Sequence, residues 1–291
     1  MIRDDFAVFI LSHGRPDNII TLDTLKKSGY TGKYYIIIDN EDKTADTYYK
    51  NFGKDKVIMF DKQAVSDDPM LDKFDNGDKK GVIYFARNAC FDIAKDLGLK
   101  YFLQFDDDYK EFRIRYPKGN VLANVPIKNM DKIVDIMLNF LDIRPDIHSV
   151  CFAQGGDLMG GVNGRIRQGL IRKAMNSFFC RTDAKFRFHG RINEDVNTYT
   201  MLGNRGELFF TVVSLTLNQK QTQSNAGGMT DVYLDNGTYV KSFYSVICAP
   251  QAVKVGLMGI THKRMHHVIS WNHCTPKIIS DRYKKVLQSN R

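Results

Sequence analysis

Apolar residues arrive in short runs separated by polar turns, and their spacing switches repeatedly between strand-like and helix-like. FAVFILS (6–12) is continuously apolar, of strand length, and followed at once by the polar turn HGRPDN, the pattern of a buried parallel strand running into a loop. NIITLDTLKKSGY (18–30) carries apolar residues at helical spacing and stops at Gly29, and YYIIID (34–39) is a second buried run ending on an acid. Strand, helix and strand in so short a span predict a right-handed βαβ unit. KVIMFD (56–61) continues the series, and the Asp-rich stretch QAVSDDPMLDKFDNGDKK (63–80) predicts a mobile loop, either a lid or an excursion without consequence.

GVIYFARNACFDIAKDLGLK (81–100) predicts a helix with Ala86, Ala89, Ile93, Ala94 and Leu97 on one face and Gly98 at its end; the strand YFLQF (101–105) follows. MDKIVDIMLNFLDI (130–143) predicts another helix and SVCFAQGG (149–156) another strand. INEDVNTYTMLGNRG (192–206) predicts a helix capped by Asn193, with Glu194 and Asp195 in the first turn, where the dipole favours anions. LFFTVVSLTLNQ (208–219) returns to β-structure. These elements predict an α/β fold: a Rossmann-like, mixed, mostly parallel sheet flanked by helices, with an embellished C-terminal half. No repeat or linker divides the chain, so one domain is expected over 1–291, with a first half over 1–110 and an embellished second half over 111–291.

The 291 residues, 43% apolar, can build a substantial core. No apolar run approaches the ~20 residues that span a bilayer. Asp4 and Asp5 stand where a signal peptide would be cationic, so a cytoplasmic protein without a membrane partner is expected. The five cysteines form an odd set with no CxxC pair, which argues against both a disulfide framework and a zinc ribbon. Oligomeric state is not legible. The net charge of +9 is uneven: residues 1–80 hold 13 basic and 15 acidic side chains, so the excess lies downstream. GRIRQGLIRKAMNSFFCRTDAKFRFHGR (164–191) has eight Lys or Arg, one Asp and four Phe. Such a composition suits a groove that follows a phosphate backbone and stacks rings on bases, or else a solvated cationic face. Arg165, Arg167, Arg172, Lys173, Arg187 and Arg191 are its candidate nucleic-acid contacts.

Ligands of open α/β sheets sit at the carboxyl ends of strands, and here those ends carry Ser12 to Asp17, Asp39 to Asp42, and Asp106 to Asp108. With side chains alternating by two, Asp106 and Asp108 share a face, and Asp107 points away and is the most expendable of the three. Two carboxylates on one face offer hard oxygen ligands to Mg²⁺ or Mn²⁺; a surface acidic turn is the alternative. Asp39 can accept a hydrogen bond from a base or ribose, or serve as a turn residue. Glu194 and Asp195 suit a general base as well as they suit simple capping. His262 and His266, four apart, would share a helical face. Glycines in NAGGMTDVY and GTYVKSF let backbone approach a ligand closely, with Lys241 nearby, and Lys277 in TPKII can pair with phosphate or lie on the surface.

A first strand with a polar turn, an ARN helix, a strand ending in three acids and a later ED at a helix start resemble the glycosyltransferases of the GT-A fold. More narrowly, the ordered set SHGRPDN, FDDDY, INEDVNTY, QSNAGGM, GTYVKSFYSV, HKRMHH and TPKII resembles the TET/JBP-associated, mainly phage-encoded, DNA-modifying glycosyltransferases, over about residues 6–280. The resemblance implies a metal-dependent, inverting transferase that moves a sugar from a nucleotide sugar, a UDP-sugar, to a hydroxymethylated pyrimidine such as 5-hydroxymethylcytosine in DNA. It implies a DxD site in which Asp108 is the direct ligand of Mn²⁺ or Mg²⁺ and Asp106 reaches the metal through water or contacts the ribose, with His266 completing the coordination. Ser12, Arg15, Asp39, Arg87, Asp106, Asp107, Lys241 and Lys277 would line the nucleotide-sugar site, and Asp195, with Glu194 as the other candidate, would be the base. The same fold with a protein or glycan acceptor is the nearest alternative. A metal-dependent nuclease or a non-catalytic DNA-binding module are alternatives of another class.

Overall fold

The computed structural model describes residues 3–65, 83–219, 229–258 and 263–274, with backbone alone for 229–238. Its first half runs β1 (Phe6–Leu11), α1 (Ile20–Lys27), β2 (Lys33–Asp39), α2 (Ala45–Phe52), β3 (Val57–Phe60), α3 (Ile83–Asp96) and β4 (Tyr101–Asp106). There follow β5 (Tyr109–Lys118), β6 (Val121–Pro126), α4 (Met130–Ile143), β7 (Ile147–Ala153), β8 (Leu170–Ile171), β9 (Ser177–Arg181), α5 (Glu194–Asn204) and β10 (Leu208–Gln219). The chain then forms α6 (Met229–Cys248), β11 (Val253–Met258) and β12 (Arg264–Ile269).

Among the described residues ten strands build one sheet in the order β3-β2-β1-β4-β9-β7-β10-β5-β6, with β8 against β10. The pairings orient β1, β2, β3, β4, β6, β7 and β10 one way and β5, β8 and β9 the other, so the sheet is mixed and mostly parallel, as expected. The apolar runs are continuous because the inner strands are covered on both faces. In β1, Phe6, Val8 and Ile10 enter the core under α1, α2 and α4, where Leu25, Tyr48 and Leu138 lie. Ala7, Phe9 and Leu11 enter the opposite core under α3 and α5, among Phe91, Val196 and Tyr199.

The predicted punctuation holds at Gly29 (φ +78°) and Gly98 (φ +66°), both left-handed residues that end helices. Three expectations fail. Leu97 is 39% exposed, while Tyr84, Phe85, Arg87, Asn88 and Cys90 are buried, because α3 is clasped by the sheet on one side and by the segment before α5 on another. The 164–191 stretch is no open groove: SFFCR is β9, wedged between β4 and β7, and Phe178, Phe179, Phe186 and Phe188 are all buried. None of those rings can stack on a base. GTYVKSF lies in α6, where its backbone is committed to the helix. Of the 63–80 loop, residues 66–80 lie outside the described residues, as do His262 and TPKII with Lys277.

Candidate active site

The turn after β1 and the acidic triplet are tied into one network at the rim. β4 ends at Asp106, so Asp107 and Asp108 form a turn and do not continue the alternation. Asp107 is 3% exposed; one carboxylate oxygen accepts from Ser12 Oγ at 2.6 Å and the other from Arg15 Nη1 at 3.0 Å. Tyr48 Oη, itself 2.7 Å from Ser12 Oγ, accepts from the Arg15 amide. Thr21 Oγ1 donates to the Asp106 carbonyl, and Thr21 N to that of Asp107. Asp107 is therefore the lock of the triplet and not its expendable member; Asp106 and Asp108 are mostly buried but keep some exposure. Asp107→Ala is expected to lose about 1–3 kcal/mol in urea unfolding, since a buried hydroxyl and a guanidinium lose their acceptor, with Asp107→Asn losing less.

Along the rim, Asp39 is 7% exposed and accepts from His13 Nδ1 (2.7 Å), the Glu41 amide (3.0 Å) and Lys62 Nζ (3.4 Å). Burial alone would raise its pKa, but the bond from His13 and the charges of His13 and Lys62 outweigh it and hold the carboxyl below its ordinary value. The same bond raises His13. Asp39 thus holds the part-exposed His13 and the buried Lys62, which also reaches Glu41 at 3.2 Å, where a free acceptor was expected. Neither cation was a sequence candidate; His13, in the turn between two acidic strand ends, carried the available signal.

Arg87 corrects the sequence expectation most. It does not line an open pocket: 1% exposed, it donates from Nη2 to Asp106 Oδ1 (2.9 Å) and from Nε to Glu194 Oε1 (2.8 Å), with its guanidinium carbon 5.0 Å from the Phe178 ring centre. Asn88, its neighbour in ARN, exchanges two bonds with the backbone of Phe188, just ahead of α5. One turn of α3 thereby joins the triplet to the acid helix. Asp106 is still pushed up to about 7, by burial first and then by Asp108, Glu194 and Asp107.

Asn193 precedes α5 in a left-handed conformation (φ +55°), and its side chain makes no cap. Its Nδ2 instead donates to Lys241 O (2.8 Å) and Ser245 Oγ (3.0 Å), pinning α6 to the start of the acid helix. Glu194 and Asp195 are each 6% exposed. Burial, then the charge of Glu194, pushes Asp195 up to about 7. Lys241 is half-buried and lowered by desolvation, with Asp195 and Glu194 as its attractive neighbours.

His266 lies on a strand, so it shares no helical face with another histidine. Its neighbour His267 turns inward, 9% exposed, with Nδ1 3.5 Å from Asn193 Nδ2; burial lowers it to about 3, which keeps it neutral. Among the described residues no group of three or more His, Cys, Asp or Glu is arranged to hold a metal ion. Asp106 and Asp108 nevertheless suit a hard divalent cation, because a cation there relieves the crowding that raises Asp106, and substrate oxygens and water can supply the other ligands.

Of the candidate nucleic-acid contacts, Arg191 is buried at 4%, and Lys173 Nζ is held 2.7 Å from the buried Asp157 and acts on Asp195. Arg172 and Arg187 are half-buried, Arg165 stands 3.9 Å from Asp157, and Arg167 is exposed. No helix among the described residues is long and apolar enough to cross a membrane.

No curated protein matches the chain in sequence. Among solved structures, glucosyl-3-phosphoglycerate synthase from Mycobacterium tuberculosis, in complex with Mn²⁺, UDP and phosphoglyceric acid, is similar at 10% identity and a TM-score of 0.45 over 91% of this chain and 86% of that one. TarS (residues 1–349) of S. aureus is similar at 14% identity and 0.40, over 73% of this chain and 59% of that one. The mannosyltransferase PcManGT from Pyrobaculum calidifontis, with GDP-Man and Mn²⁺, is similar at 10% and 0.43, over 76% and 59%. The model of the TET-associated glycosyltransferases matches residues 6–228, a span that holds the triplet, Arg87 and the acid helix. The enzyme class is therefore transferase rather than nuclease or silent binding module, and the chain belongs to the TET-associated glycosyltransferase family.

Proposed function

We propose that this glycosyltransferase moves a sugar from a UDP-sugar to the hydroxyl of a hydroxymethylated pyrimidine in DNA, by a single inverting displacement. The observation that carries the reading is the shared guanidinium: Arg87 binds Asp106 and Glu194 at once, so the donor-side acids and the acid helix meet at one point. Asp106 and Asp108 would hold Mn²⁺ or Mg²⁺, whose charge offsets that of the departing diphosphate. Ser12 and Arg15 orient the triplet through Asp107, while His13, held by Asp39 and still part-exposed, would be a donor to the nucleotide.

Glu194 is committed to Arg87, which leaves Asp195 as the base. Its raised pKa suits a group that must accept a proton near neutrality. The acceptor oxygen bonds to the anomeric carbon, its proton passes to Asp195, and the bond to the diphosphate breaks with its electron pair leaving on the nucleotide. Lys241, beside both acids, favours the ionised carboxylate before the transfer. The first 110 residues thus supply the donor side and the remainder the base and the acceptor side.

The test is incubation with duplexes containing 5-hydroxymethylcytosine or 5-hydroxymethyluracil, Mn²⁺ and a panel of UDP- and GDP-sugars, followed by mass analysis of the digested nucleosides. A hexose or pentose adduct on the modified base is expected. Donor consumption without any nucleoside adduct would move the acceptor to a protein or glycan.

A further inference from the structure

The positive charge that the chain leaves at its surface near Asp195 is not where the densest basic run lies. Between Asp235 and Asp281 the sequence has no Asp or Glu, but it has Lys241, Lys254, Lys263, Arg264 and Lys277 and four histidines. The described part of this acid-free span is the end of α6, the β11–β12 hairpin and the turn after it, and all of it follows residue 228, where the family match stops. The hairpin packs along α6, with Ala249, Ala252 and Val253 in a small core of their own. Asn193 holds α6 to the first residue of the acid helix, and the Tyr244 hydroxyl accepts from the Arg191 amide just before it. The unit is thus fastened directly to the site.

Its outer surface has two kinds of side chain. Lys254, Lys263 and Arg264 are exposed. Tyr239 and Phe243, one helical turn apart and 52% and 40% exposed, lie ring on ring with centres 5.7 Å apart and planes within 8°. Arg264 is near enough to act on the charge of Lys241, which in turn is attracted by Asp195 and Glu194, so the hairpin adjoins the acid helix. In the 164–191 segment, by contrast, the aromatic rings are buried and Lys173, Arg181 and Lys185 are paired with Asp157, Asp183 and Asp92. Exposed cations with no acid among them, next to exposed stacked rings, match a polyanion whose flat bases can be unstacked.

We propose that DNA docks on the α6 and β11–β12 unit, with Lys254, Lys263 and Arg264 on phosphates and the Tyr239–Phe243 pair against a base displaced beside the target. The proposal rests on the DNA-acceptor reading and names the surface that serves it. A target base taken out of its stack would then enter toward Asp195 from the α6 side.

The experiment uses the full chain and a fluorescent duplex containing 5-hydroxymethylcytosine, with anisotropy recorded over a salt series. Lys254→Gln/Lys263→Gln/Arg264→Gln is compared with Lys27→Gln/Lys50→Gln/Lys95→Gln, which removes equal charge from exposed positions on α1, α2 and α3. The hairpin variant is expected to weaken binding at least ~10-fold at physiological salt and to flatten the slope of log K against log salt by about 2–3, one near-unit per lost phosphate contact. The control variant should change the slope by less than one. Tyr239→Ala/Phe243→Ala should weaken binding with the slope intact. Binding of UDP with Mn²⁺, followed by calorimetry, should be equal in all four chains, which shows that each is folded. Equal slopes for the hairpin and native chains overturn the surface while leaving DNA as acceptor. A native chain without salt-dependent DNA binding overturns both.

Discussion

Replacing Arg87 with Met is expected to remove about 3–5 kcal/mol of stability in urea unfolding and to lower sugar transfer by at least ~100-fold. The side chain is almost wholly buried and joins two carboxylates from opposite sides of the site, Asp106 on β4 and Glu194 on α5. Methionine fills similar space but leaves both acids without their cation, and a buried unpaired charge is far more costly than the intact pair is favourable. Protonation relieves that penalty. Removing the cation takes away the charge that holds the Asp106 pKa down, so the deficit should be smaller at pH 5 than at pH 8. Arg87→Lys separates the two functions of the residue. A single ammonium cannot reproduce the forked geometry of Nε and Nη2 on two partners, so this variant should recover much of the stability and little of the transfer. Full transfer by Arg87→Lys would mean that Arg87 supplies charge alone and does not position the acids.

Much of the frame was legible because its strands are buried on both faces. FAVFIL, YYIIID and YFLQF advertise themselves as unbroken apolar runs, and Gly29 and Gly98 mark helix ends through backbone geometry that a sequence displays directly. β9 was hidden for the opposite reason. SFFCR is five residues inside a 28-residue basic stretch, and averaged composition made buried core rings resemble a base-stacking surface. The β5–β6 hairpin alternates Phe112 and Ile114 with Arg113 and Arg115 and turns at Gly119, so its period was available, though weak beside the charges. The triplet shows the limit of a periodic argument. Alternation applies while the strand continues, and β4 ends one residue before Asp107, whose turn geometry aims it at Ser12 and Arg15. The roles of Arg87 and Asn193 lay beyond any local pattern. Each is defined by partners dozens of residues away, and only the assembled sheet brings α3, α5 and α6 to one place.

Asp195→Asn is expected to lower kcat by about 10²–10⁴-fold, the contribution of a positioned general base, while leaving the affinity for UDP with Mn²⁺ within about twofold of the native chain. It should also stabilise the protein above neutral pH. The sign follows from the direction of the shift. Burial and Glu194 raise the folded-state pKa of Asp195 to about 7, above its ordinary value in the unfolded chain. The folded state therefore holds the proton more tightly, and between those two values stability falls as pH rises. Above pH 7 the carboxylate is ionised in both states, and keeping it buried beside Glu194 costs on the order of 2–4 kcal/mol. Asparagine has nothing to ionise, so its thermal midpoint should exceed that of the native chain at pH 8 and approach it at pH 5. Glu194→Gln should behave differently, losing stability across that range because Arg87 Nε loses a charged partner. The same shift sets the activity profile. A base must be ionised to work, so native kcat should climb through about pH 7, and the residual activity of Asp195→Asn should lack that limb. If Glu194→Gln loses the limb and Asp195→Asn keeps it, the two acids exchange roles, and the bond between Arg87 and Glu194 must open before each transfer.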